Sequence, residues 1–216
     1  MKTEMSLRRE LCRFSRDLTS KGLLYGDKEL AHGQLSVKVA NTGMLIKPTN
    51  HDSATVKLNE WVLVDLGDGK VIKGGKPSSE TDIHRAIYNA RRDAGAIVHA
   101  HSMFAIALST ANREIVPWSD ESLLLRGVRM VPRVDYDRER QTKLVLDALG
   151  QESRCVIIRH HGTISLGADL EEASLYALEC ERAAKIMYFA LLLNSSAPLT
   201  KDEATKILGK PPLIDY

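Results

Sequence analysis

The chain has 216 residues, of which 44% are hydrophobic and 27% charged. That length suits one domain with a substantial core of its own, and that composition excludes disorder as the main state. Thirty Lys and Arg against 28 Asp and Glu leave a net charge of +2, interspersed along the chain, which excludes the basic field that nucleic-acid binding needs.

Leu7, Leu11, Phe14 and Leu18 recur at helical spacing, with Gly22 placed to end the helix in a left-handed cap. From Gln34 the pattern turns to short β-rich pieces. Leu35 to Val39, a turn at Asn41-Thr42-Gly43, and Met44 to Ile46 read as one hairpin. Trp61 to Leu66 runs into a further turn at Gly67 to Lys70. Ile83, Ala86, Ile87 and Ala90 give helical periodicity to Glu80–Arg92, with Ser79 as N-cap. Ala96 to His101 reads as a buried strand. Helices follow at Met103 to Ala111 and Arg138 to Leu149, then an apolar strand from Cys155 to Ile158 that runs into Arg159-His160-His161-Gly162. A long helix from Leu170 to Leu193 nearly closes the chain. The fold expected is α/β: a single domain over 1–216, with a mixed, mainly antiparallel sheet flanked by helices. Cys12, Cys155 and Cys180 are odd in number and lack CxxC spacing, which excludes a disulfide framework or a cysteine-built zinc site. Buried, inert thiols are expected. No apolar stretch approaches the length of a membrane span, and residues 1–10 lack a hydrophobic leader core, so a cytoplasmic, soluble protein is expected.

Seven histidines are present. His99 and His101 stand two apart on a predicted strand, so their imidazoles share a face and can chelate one ion. His161, at a strand end before Gly162, is placed to be a third ligand. Strand histidines also serve as core residues bonded to carbonyls, and His-x-His alone leaves that alternative open. Zinc suits imidazole ligands, and manganese, cobalt or iron can also occupy such a site. Pro77-Ser78-Ser79-Glu80 opens the helix before the histidine strand. It places hydroxyls, backbone amides and a carboxylate at a helix N-terminus, where anions bind; a plain capped helix is the alternative.

Pro77-Ser78-Ser79-Glu80, His84, Ile87-Tyr88, Val98-His99-Ala100-His101-Ser102 and His160-His161-Gly162 with Gly167 resemble, in order and spacing, the class II aldolase/adducin family. The resemblance implies one divalent metal ion per chain held by His99, His101 and His161, with Glu80 as a fourth ligand without substrate and an acid/base with it. It implies a lyase that cleaves a small sugar phosphate by retro-aldol chemistry through a metal-stabilised enediolate, or alternatively a decarboxylase or dehydratase of the same family. The implied phosphate pocket comprises Gln34, Thr49, Asn50, Ser78 and Ser79, although Gln34 and Asn50 depart from the family's usual Asn and Gly. Lys47, with His51 and Asp52 nearby, is a second departure, readable as a carboxylate-binding group or as solvated loop. Glu121 stands where the family's aldolases place a Tyr from the neighbouring subunit, so it is expected as the second proton-handling group, or else, with Asp120, as a helix cap near Ser122. A homotetramer with interfacial active sites and a small-molecule substrate is implied. Tyr216 is the candidate for a C-terminal Tyr that closes over the site.

Overall fold

The computed structural model describes residues 2–24, 32–40, 42–134, 136–194 and 197–211. Among these are eight strands, six α-helices and one 3₁₀ segment. The strands β1 (Gln34–Val39), β2 (Gly43–Ile46), β3 (Val62–Val64), β4 (Val71–Lys73), β5 (Ala96–Ala100), β6 (Val128–Val131), β7 (Cys155–Ile158) and β8 (Gly162–Gly167) form one sheet in the order β4-β3-β2-β1-β5-β8-β7-β6. The expected α/β class with a mainly antiparallel sheet is what the chain adopts. Of the pairings with a defined register, only β6 with β7 is parallel.

Two compact units make up the chain, Met1–His101 with Leu166–Ser174 and Ser102–Ser165 with Leu175–Tyr216. The first begins with α1 (Glu4–Ser20), capped by the Thr3 hydroxyl, which accepts from the Ser6 amide. The apolar stripe read from the sequence is the buried one: Leu11 and Leu18 are fully enclosed and Leu7 nearly so. Each such side chain contributes about 1.5–3 kcal/mol by leaving water. Polar groups buried on the same face are satisfied by backbone. Arg8 donates to the carbonyls of Leu58 and Trp61, and Ser15 to that of Ser53. Trp61 is a packing residue, as expected, with its indole N–H directed at the Cys12 thiol. Helix α2 (Thr81–Ala90) starts later than read, because Glu80 and not Ser79 is its N-cap. Ser78 supplies the cap instead, its hydroxyl accepting from the Glu80 amide at 3.2 Å.

The second unit holds α3 (Met103–Thr110), the 3₁₀ segment Asp120–Leu125, β6, α4 (Arg138–Leu149), β7, most of α5 (Leu170–Leu192) and α6 (Lys201–Leu208). Its core gathers Ala105, Leu108, Ile115, Leu125, Val128, Ile157, Tyr176, Cys180, Ala183 and Met187. Cys12, Cys155 and Cys180 are all buried free thiols, in keeping with the sequence reading. Strands β4, β6 and β8 and helix α6 were not anticipated. Asn41 and Tyr216 lie outside the described residues. Among the described residues no helix is long and apolar enough to cross a membrane.

Candidate metal and anion site

Strand β5 ends at Ala100, one residue short of the expected strand, so His99 lies on the strand and His101 just beyond it. The His101 amide donates to the Leu23 carbonyl at 3.1 Å, fixing the chain where it leaves the sheet. His99 is buried and pairs across the ladder with Gln34 of β1. Gly33, just before β1, has φ +78, and a Cβ there would stand 2.9 Å from the His99 carbonyl oxygen, so only glycine fits. His161 is not at a plain strand end; it lies in the tight turn from β7 to β8, its amide donating to the Ile158 carbonyl, after His160 at φ 58.

His99, His101 and His161 each present a ring nitrogen, and these ligand atoms lie within 4.8 Å of one another. The imidazoles of His99 and His101 meet edge to face at 5.1 Å between centroids. Three imidazoles, one buried and two half-buried, fit a borderline-soft divalent ion such as zinc. Sequence reasoning missed His32, whose ring packs 4.7 Å from that of His101. Its place directly before Gly33-Gln34 was the available signal.

Of the residues expected to bind phosphate, Gln34 and Ser78 meet although they stand 44 apart in sequence. The Thr49 amide donates to the Lys76 carbonyl, the Ser78 amide to the Lys47 carbonyl, and Pro48 and Pro77 bridge. This antiparallel pairing sets Thr49 opposite Lys76 and Ser78 opposite Lys47. Gln34 accepts from the Ser78 hydroxyl at 2.6 Å, which leaves its amide N–H₂ as the donor end. Asn50 has φ 56, the left-handed geometry that Asn tolerates where a family member would carry Gly. Ser79 is exposed and Glu80 half-buried at the start of α2.

Two expectations need correction. Lys47 is no surface carboxylate reader: it is 2% exposed, and its ammonium donates to the His51 carbonyl at 3.0 Å and the Ser53 hydroxyl at 2.9 Å. Desolvation, opposed by the nearby Asp52 charge, lowers its pKa to about 8. His51 is tied to the Thr49 carbonyl at 2.8 Å. Asp120 and Glu121 do not cap a helix at Ser122, because the 3₁₀ segment begins at Asp120 with Ser119 as N-cap. Glu121 is half exposed and pairs with Arg182 at 3.4 Å. Hydrogen bonding from its own amide, then from Ser119, and the Arg182 charge hold its carboxyl below the usual range. Trp118 is half-buried and packs on the second unit's core.

The sheet and the three-imidazole cluster define a mixed α/β fold with a histidine site suited to one divalent ion. The chain belongs to the family described as Class II Aldolase and Adducin N-terminal domain, which it matches over residues 9–188. It is 33% identical to L-fuculose phosphate aldolase of Methanocaldococcus jannaschii over 162 residues, covering 75% of this chain and 87% of that one. It is 30% identical to 5-methylthioribulose-1-phosphate/5-deoxyribulose-1-phosphate aldolase of Rhodospirillum rubrum, covering 96% and 92%. The crystal structure of YgbL from Klebsiella pneumoniae, described as a candidate aldolase/epimerase/decarboxylase, superposes with a TM-score of 0.86 at 28% identity, covering 96% of this chain and all of that one.

Proposed function

We propose that this protein is a divalent-metal-dependent aldolase that cleaves a small ketose 1-phosphate by retro-aldol chemistry. In this reading it works as a cytoplasmic homotetramer with active sites where subunits meet, and residues 1–216 form one catalytic domain. The observation that carries the reading is the convergence of His99, His101 and His161 within 4.8 Å. Similarity to two aldolases named for ketose phosphates, one of them 1-phosphates, supports the substrate class, and the continuous family match over 9–188 supports a single domain.

The three imidazoles, with Glu80 as a further ligand before substrate arrives, would hold a zinc ion, which would supply Lewis acidity to the ketose. The phosphate is seated by the Gln34 amide, the hydroxyls of Thr49, Ser78 and Ser79, and the backbone at Asn50, next to the positive end of α2. Glu121 of a neighbouring subunit takes the proton from the hydroxyl on the carbon beyond the scissile bond. As that oxygen becomes an aldehyde, the carbon–carbon bond breaks and its electron pair stays on the carbon next to the carbonyl. Glu80, having taken up a proton from solvent when substrate arrives, delivers it there, and Glu121 returns its own proton to solvent.

The test is elemental analysis of the purified protein followed by incubation with L-fuculose 1-phosphate and 5-deoxyribulose 1-phosphate. The expected result is about one zinc per chain and release of dihydroxyacetone phosphate with an aldehyde. Glu121→Gln is expected to lower turnover by about 10²-fold or more while metal content stays unchanged; full activity in that variant removes Glu121 from the mechanism. The second reading, a decarboxylase, is favoured by the likeness to YgbL and by a carboxylate at 121. Carbon dioxide from a phosphorylated keto acid, with no aldehyde from either ketose, would establish it in place of the first.

A further inference from the structure

Helix α2 is joined to β1 by a chain of buried polar side chains that the chemistry above does not use. His84 is fully buried, with Nδ1 2.7 Å from the Ser36 hydroxyl, and that hydroxyl lies 2.8 Å from the Tyr88 phenol. Ser36 shares its face of β1 with Gln34, two residues earlier, so this chain and the Ser78–Gln34 bond fasten one helix to one strand at successive points. The other ring nitrogen, His84 Nε2, is buried with no hydrogen-bond partner. Buried polar atoms in folded proteins are nearly always paired, so an orphan in an otherwise well-tied ring marks a position kept for a use.

Its place on the helix indicates that use. His84 is four residues after Glu80, and its amide donates to the Glu80 carbonyl at 3.1 Å. Residues four apart share a helix face, and helical side chains lean toward the N-terminus, so the imidazole lies over the turn that carries Glu80. We propose that His84 is a positioning residue for Glu80, its Nε2–H donating to the Glu80 carboxylate when that group turns to exchange a proton with substrate. The inference rests on the acid/base role of Glu80 proposed above. In the Nε2–H form that this role requires, the Tyr88 phenol donates to Ser36 and Ser36 donates to Nδ1. A neutral donor steadies the carboxylate without locking it into an ion pair.

The zinc-loaded protein and two variants test this. Asn at 84 reaches as far as Nδ1 and keeps the tie to Ser36, whereas Gln places an amide near Nε2. His84→Asn is expected to keep its metal and lose about 10- to 100-fold in kcat with little change in KM, and His84→Gln to recover most of that loss. Wild-type kcat in His84→Asn, or equal impairment in both, overturns the proposal. Proton–nitrogen NMR of the wild-type imidazoles decides the matter even where a variant fails to fold. A proton on His84 Nε2 is expected, and one on Nδ1 overturns it. That measurement needs no turnover, so a wild type inactive on every ketose phosphate would defeat the aldolase reading separately.

Discussion

Lys47 shows how far one side chain's environment can depart from its chemical type. Its stem is enclosed, and among the described residues its ammonium has two acceptors, the His51 carbonyl and the Ser53 hydroxyl. Desolvation therefore outweighs the attraction of Asp52 and brings the pKa from 10.5 down to about 8. The folded chain thus gives up this proton more readily than the unfolded chain. Between about pH 8 and 10.5 the unfolded state binds more protons, so stability rises with pH across that window, and below pH 8 the full cost of the buried charge is felt. The size of the effect is on the order of 2–3 kcal/mol. Urea unfolding at pH 7 and pH 10 is expected to show this gain in wild type and its absence in Lys47→Met, which keeps the stem and cannot titrate. Equal pH dependence in the two proteins would show that Lys47 carries no such penalty.

At the scale of elements, α3 begins two residues after His101 with no side-chain cap of its own. Glu181 of α5 fills the role from outside, accepting from the amides of Phe104 at 3.0 Å and Ala105 at 3.1 Å. Burial raises its pKa, against the opposing pull of these amides and of the Lys185 charge. Glu181→Gln keeps the shape and loses the charge, and it is expected to cost about 1–2 kcal/mol in urea unfolding at neutral pH; no loss would mean that the α3 amides need no anion. The same element explains part of what the sequence conveyed. Helices α1, α2, α4 and α5 were legible because their apolar residues recur at a helical period. Strand β8 alternates polar Thr163 and Ser165 with apolar Ile164 and Leu166 and was legible but overlooked, although the structure buries both faces alike. The Ser165 hydroxyl reaches the Cys155 thiol and that of Thr163 reaches Ser102, both satisfied inside. Strand β4 is exposed throughout, and β6 carries an outward Arg129, so neither has an apolar run to announce it. Helix α6 was legible and overlooked: Thr200 and Glu203 form the reciprocal capping box that their spacing signals. In the candidate site, His99, His101, His161 and Ser78 to Glu80 stood out by local spacing. The His84–Ser36 pair, 48 residues apart, and the burial of Lys47 depend on tertiary contacts that no local pattern contains.

For the whole molecule, the consequence of a three-imidazole site is a coupling between metal and folding. An ion that binds only the folded chain stabilises it by RT ln(1 + [L]/Kd), about 4 kcal/mol at a thousandfold excess over Kd. The histidines must be neutral to bind, and free imidazoles titrate near pH 6.5, so this increment is present at neutral pH and shrinks as pH falls through about 6. Removing the metal with a chelator at pH 7.5 is therefore expected to lower Tm by several degrees, and restoring zinc to recover it. At pH 5 the same treatment should change little. His161→Ala separates the ligand's role from packing, because His161 is half-buried in a turn and leaves no large cavity. Its metal-free Tm should match that of metal-free wild type, while the zinc-dependent rise is largely lost. A full zinc-dependent rise in His161→Ala would remove it from the ligand set and leave His99 and His101 to hold the ion with another group.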